Sequence, residues 1–100
     1  MATVPDFQAL MALVGNLLFR WGWLEDTLAG EPIPHELDHV RRIRNALSHR
    51  MISARADPEG EKVAYVSCRL PDGTIVRFSA GDLEAAIREL ELARKHLSRA

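Results

Sequence analysis

Cysteine is nearly absent from this sequence. Cys68 stands alone, so no intramolecular disulfide can form and a disulfide-stapled scaffold is excluded. That usage suits a reducing compartment. Long apolar runs are missing as well. The best stretch, Ala9 to Phe19, is broken by Gly15 and Asn16 and runs into Arg20, whereas a membrane helix needs about 20 apolar residues. The N-terminus has no basic segment of the kind that opens a secretory signal. Excess charge of either sign is lacking, with 13 Lys and Arg against 14 Asp and Glu. The net charge of −1 excludes a surface wholly dedicated to nucleic acid or anionic membrane. Internal repeats and low-complexity segments are also missing. These absences predict a cytoplasmic chain without a membrane segment.

What is present is the composition of an ordinary globular protein, 47% hydrophobic and 27% charged over 100 residues. Residues 1–100 are the size of one domain with a modest core. The strongest pattern lies over residues 6–29, where Phe7, Leu10/Met11, Val14, Leu17/Leu18, Trp21, Leu24 and Leu28 recur every three or four positions. That spacing predicts an amphipathic helix, with Pro5 and Asp6 as start signals. Leu13, Phe19 and Trp23 fall off this stripe, so the apolar surface is wider than one packing partner requires. Gly15 and Gly22 are two turns apart, and each costs roughly 1 kcal/mol in a helix interior. Such a cost is often offset where another backbone approaches closely. A wide apolar helix in so short a chain points to a subunit interface, and hence to a homodimer.

Gly30-Glu31-Pro32-Ile33-Pro34 reads as a turn followed by a helix start. The second helix is expected from about Pro34 to about Ser53, burying Leu37, Val40, Ile43, Leu47 and Met51. Asp57-Pro58-Glu59-Gly60 reads as a loop. Two strands are expected next, Lys62–Leu70 and Thr74–Ser79. A three-residue turn, Pro71-Asp72-Gly73, would pair Cys68 with Val76, Val66 with Phe78 and Ser67 with Arg77. A two-residue turn would instead mix apolar with charged partners. Ser79-Ala80-Gly81-Asp82 resembles a capping box with Asp in place of Glu. It opens a third helix whose stripe is Leu83, Ala86/Ile87, Leu90, Ala93 and Leu97. Acids come early in that helix (Asp82, Glu84) and bases late (Arg94, Lys95, Arg99), as its dipole favours. The fold class is therefore mainly α, a small helical bundle with an inserted β-hairpin in the order α-α-β-β-α.

Charge is unevenly placed. Val40 to Ala56 holds Arg41, Arg42, Arg44, Arg50 and Arg55 and no carboxylate. Such a strip is either a solvated helix face helped by the C-terminal dipole or a phosphate-binding surface of guanidinium forks. Within it lies Arg44-Asn45-Ala46-Leu47-Ser48-His49. At ~100° per residue, His49 sits roughly 140° round the helix from Arg44. Arg41, Asn45 and His49 form a polar row at four-residue spacing. Arg44 and His49 of one helix do not converge naturally; they meet if the helix frays at His49 or if two helices face each other across a symmetric dimer.

An arginine, then four to six residues of which the first is often polar, then a histidine near a helix end is the signature of the HEPN superfamily, and Arg44 to His49 resembles it at the four-residue spacing. The resemblance covers about residues 6–55, with apolar Ile43 and Leu47 around the motif, and the closing helix is compatible with it. Arg50 stands where family members often carry glycine, and a hairpin replaces further helix. The resemblance implies a compact bundle that dimerises and brings two Arg–His pairs to one cleft. Many members are metal-independent endoribonucleases of toxin–antitoxin and phage-defence systems, and others are non-catalytic modules binding a partner protein or nucleotide. Carried over, His49 is the general acid/base, Arg44 stabilises phosphate charge and Asn45 positions substrate or the neighbouring side chains. Arg41, Ser48 and Arg50 are the flanking substrate-binding candidates. The implied partners are RNA, a second copy and a cognate antitoxin, with neither metal nor cofactor. The chemistry suits these residues. RNA carries its own nucleophile in the 2′-OH, so a base, an acid and charge stabilisation suffice.

His35-Glu36-Leu37-Asp38-His39 also matches the zinc-hydrolase pattern H-E-x-x-H. Its setting argues for the plainer reading of a helix start with acids in the first turn. Leu37 belongs to the buried stripe, and a third ligand would have to come from the Asp57–Glu61 loop. Cys68 alternates with Val66 and Leu70 toward the core and reads as packing. Trp21 and Trp23 can stack on bases, but their helix makes core or interface the simpler role. Glu25 is placed to pair with an arginine of the second helix.

Overall fold

The structure, a computed structural model, describes residues 7–57 and 62–98. The helix-start signals Pro5 and Asp6, the centre of the Asp57–Gly60 loop and Arg99 lie outside them. In chain order the elements are α1 (Phe7–Leu28), a short 3-10 turn (His35–Leu37), α2 (Asp38–His49), β1 (Met51–Asp57), β2 (Lys62–Arg69), β3 (Ile75–Ser79) and α3 (Ala80–Ser98). The protein is mostly helical, with a three-stranded antiparallel sheet ordered β1-β2-β3. Among the described residues no helix is long and apolar enough to cross a membrane.

α1 runs through the centre of the helical layer. Its stripe Leu10, Val14, Leu17, Trp21 and Leu24 is buried, while Phe7 is exposed. The helix ends where Ala29 and Gly30 take positive φ (47° and 92°), and Glu31 N–H donates to Leu28 O at 2.9 Å. Glycine adopts such a backbone without a Cβ clash. α3 packs along α1 through Leu83, Ala86, Ile87 and Leu90, all buried, with Ala93 and Leu97 beside them. Its start is a reciprocal cap: Asp82 Oδ2 accepts from Ser79 N–H (2.8 Å) and Ser79 Oγ accepts from Asp82 N–H (3.1 Å). Two otherwise orphaned N–H groups are thereby satisfied.

The second helix is shorter than its periodicity suggests. It begins as a 3-10 turn and stops at His49, so the expected continuation to Ser53 is replaced by a strand. Arg50, at φ −130° and ψ 4°, leaves the helix while its N–H still donates to Ala46 O at 2.8 Å. Met51 therefore does not join the buried stripe and is 41% exposed. The order α-α-β-β-α gains a third strand.

The hairpin holds the expected register: Cys68 opposite Val76, Ser67 opposite Arg77, Val66 opposite Phe78. Gly73 has φ 89° and donates to Leu70 O at 2.9 Å, while Leu70 N–H donates to Thr74 O at 2.8 Å. This is the three-residue turn, closed by Asp72 Oδ1 accepting from Thr74 N–H at 2.9 Å. Alternation along β2 sends Ala64, Val66 and Cys68 inward, each fully buried, against the helices. Tyr65 and Arg69 face out, with Ser67 between them. β1 adds Ser53 opposite Ser67 and Arg55 opposite Tyr65, with pairing irregularities at both of its ends.

Candidate functional site

The last two turns of α2 carry the Arg–His motif, and Arg50 is the first residue beyond them. Val40 and Leu47 anchor the helix in the core, and Ile43 packs against that core. Polar residues of the same turns are thereby pushed outward. Asn45, Ser48, His49 and Arg50 are exposed, and Arg44 is partly covered.

His49, Asn45, Arg42 and Arg50 border one shallow recess of about 520 Å³, floored by Ala46 and closed by Leu70 and Pro71 of the hairpin. Arg42, Asn45 and His49 are three and four residues apart, so they line one face of α2. The recess thus gathers an imidazole, a carboxamide and two guanidinium groups. Among the described residues no carboxylate lies within ion-pair distance of His49, Arg42 or Arg50. Those groups are free to meet an anion.

Arg44 is turned away from this recess. Its Nη2 stands 3.9 Å from Glu25 Oε1 on α1, the interhelical pairing anticipated for Glu25, and its Nη1 donates to Asn45 Oδ1 at 2.8 Å. Asn45 therefore touches both settings: its oxygen holds Arg44 and its side chain borders the His49 recess. Within one chain the motif is divided, as the helical angle between positions 44 and 49 requires.

The flanking candidates separate too. Arg41 Nη2 is 3.4 Å from Asp38 Oδ1 on the same helix, outside the recess. Ser48 is exposed without bordering the recess, whereas Arg50 borders it. The basic strip is not one helix face, because Arg55 sits on β1. Two lining features were missing from the sequence-derived site. Arg42 was legible as the i−3 neighbour of Asn45. Leu70 and Pro71 arrive from across the fold.

The H-E-x-x-H segment straddles the 3-10 turn and α2. His35 Nδ1 pairs with Asp38 Oδ2 at 2.6 Å, and His39 Nε2 pairs with Glu89 Oε2 on α3. The two imidazoles thus engage different carboxylates. Among the described residues no group of three His, Cys, Asp or Glu is placed to hold a metal ion; Pro58–Glu61 lie outside them. Cys68 is buried on the inner sheet face, and desolvation raises its thiol pKa above the usual value.

Comparison with family models, with curated proteins and with solved structures finds no match to this chain.

Proposed function

We propose that the chain is a HEPN-like, metal-independent endoribonuclease of the toxin–antitoxin or phage-defence kind, acting as a homodimer. The observation that carries this reading is the exposed recess at the end of α2, where His49, Asn45, Arg42 and Arg50 meet with no carboxylate among the described residues paired to the basic groups. An imidazole there can take the proton of a ribose 2′-OH as its oxygen attacks the adjacent phosphorus. The 5′-oxygen leaves with a proton from an acid, a role open to the same histidine of a second copy. Guanidinium groups bind the non-bridging phosphate oxygens as charge builds.

Arg44 acts in this scheme only across the dimer, because its own chain turns it toward Glu25. A symmetric pairing of two α2 ends supplies that geometry, and the apolar excess of α1 supplies a surface for it. Phe19 is 77% exposed, and the Cβ positions of Gly15 and Gly22 face open space.

The same Arg44–Glu25 contact favours a second reading, a non-catalytic HEPN-like module in which Arg44 ties α2 to α1 and the recess binds a partner protein or nucleotide.

Incubation of the purified chain with labelled single-stranded RNA in EDTA separates the two. Cleavage that is lost, by about 10²-fold or more, in His49→Ala and in Arg44→Ala supports the nuclease. A 2′-deoxy residue at the scissile position should block it. His49→Ala cutting as fast as the parent removes the catalytic role. If the parent leaves RNA intact even without an antitoxin present, the binding module stands.

A further inference from the structure

The outer face of the sheet carries three arginines, one from each strand. Arg55 is on β1, Arg69 on β2 and Arg77 on β3, and all three are exposed. Tyr65 lies at the middle of this face on the central strand, directly opposite Arg55. The Arg77 guanidinium is stacked over its ring, 4.6 Å from the centroid. Ser67, opposite Arg77, is nearly buried beneath, and Ile75 opposite Arg69 is exposed. Among the described residues none of the three arginines has a carboxylate within 4.0 Å. The acids of the adjoining groove are engaged elsewhere, Asp82 by the Ser79 N–H and Glu89 by His39. In a chain of net charge −1 this is a concentrated basic face.

From this arrangement we infer that the outer sheet face binds single-stranded nucleic acid, and RNA in particular if the endoribonuclease reading is right. A flat basic face with a central aromatic fits a splayed strand better than a duplex. Unpaired bases stack on aromatic rings and on guanidinium planes, and phosphates pair with the flanking arginines. Tyr65 holds the exposed Arg77 guanidinium over its ring, so the outer side of that group is a ready surface for a base. Arg69 and Tyr65, four residues apart on β2, span roughly 13 Å of track.

The track is continuous with the His49 recess. Arg69 N–H donates to Arg50 O at 2.9 Å, and the residues after Arg69, Leu70 and Pro71, close that recess. A strand held on the sheet is therefore led toward the end of α2.

The test uses a fluorescein-labelled, 2′-O-methylated oligouridylate of about 12 nucleotides, which cannot be cleaved through its 2′-oxygen. Fluorescence anisotropy should give binding to the full chain at low salt, weakening as salt rises. Arg55→Ala, Arg69→Ala and Arg77→Ala should each flatten the dependence of log affinity on log salt by about 0.7. Tyr65→Leu should weaken binding roughly tenfold while Tyr65→Phe keeps it. Circular dichroism should be unchanged for all of these exposed or half-exposed positions.

Sheet variants that bind like the parent, or a parent that does not bind, overturn the inference. A duplex held as tightly as the single strand overturns it too. Equal binding of a polyglutamate chain, indifferent to Tyr65, would reassign the face to an acidic protein. Arg94→Ala, on α3 with its guanidinium over Trp23 and outside both the sheet face and the recess, should bind like the parent. Binding without cleavage thus retires the nuclease and leaves the sheet face standing, and cleavage untouched by the sheet variants does the reverse.

Discussion

Arg44 of α2 is shared between Glu25 of α1, 3.9 Å away, and its own neighbour Asn45, 2.8 Å away. The contact ties the motif arginine to the helical layer and leaves Asn45 as the hinge between that arginine and the His49 recess. Arg44 is partly solvated, its side chain 28% exposed against 53% for Glu25. An ion pair in that setting is worth about 1 kcal/mol or less.

A double-mutant cycle of Glu25→Gln and Arg44→Ala should therefore give a coupling below about 1 kcal/mol in urea unfolding. Any loss of cleavage in Arg44→Ala then reflects a missing charge and not a missing fold. A coupling of several kcal/mol would make Arg44 a structural residue first.

Self-association should run through the open face of α1. Ala12, Gly15, Phe19 and Gly22 lie along it at three- and four-residue spacing, and Phe19 is 77% exposed. Light scattering on the purified chain should return twice its 11.2 kDa mass at micromolar concentration. Phe19→Asp should give the monomer with an unchanged circular dichroism spectrum, since that ring is not in the core. A monomeric parent would end the composite active site.

Zinc should be irrelevant to the fold. His35 is held by Asp38 within the H-E-x-x-H segment, and His39 by Glu89 on α3. The purified protein should carry no stoichiometric zinc, and EDTA should leave its melting temperature where it was. Zinc retained on purification and lost in His39→Ala would restore the hydrolase reading.

The cap of α3 should be worth measuring on both sides. Ser79→Ala and Asp82→Ala each remove one of two reciprocal hydrogen bonds and should cost about 1 kcal/mol apiece in urea unfolding. The double variant should cost less than the sum, because the two bonds support one backbone geometry.

Alkaline pH should destabilise the fold through Cys68. Burial raises its pKa above the ordinary thiol value of 9.0, so the folded state binds the thiol proton more tightly than the unfolded chain. That contribution is fully present below the unfolded value and is lost as pH rises toward the folded one. Cys68→Ala should flatten the decline above pH 9.0 in a series of thermal melts, at the cost of some core packing. A parallel fall in both proteins would assign the effect to other groups.

The local elements were readable because their signals are local. Apolar spacing over Leu10 to Leu24 fixes the buried face of α1 from the helical period alone. The register of the hairpin follows from a period of two and from Gly73, which supplies the positive φ that its turn requires. Ser79 and Asp82 mark the start of α3 by the spacing of their hydrogen bonds. The angular separation of Arg44 and His49 was set by helix geometry before any packing.

Tertiary structure decided the rest. Nothing in Met51–Asp57 announces a strand: Met51 continues the helical stripe of Leu47, no glycine marks the helix end, and Ala54 and Ala56 contrast weakly with their neighbours. Those residues become β1 because β2 offers a ladder of hydrogen bonds, with Ala54 opposite Val66 and Arg55 opposite Tyr65. That one non-local pairing ends α2 at His49 and moves Arg55 from the helix strip to the sheet. It also brings Arg50 to the backbone of Arg69. A strand's hydrogen bonds are completed only on a partner strand outside the segment, so the choice between helix and strand could not be made from the segment itself.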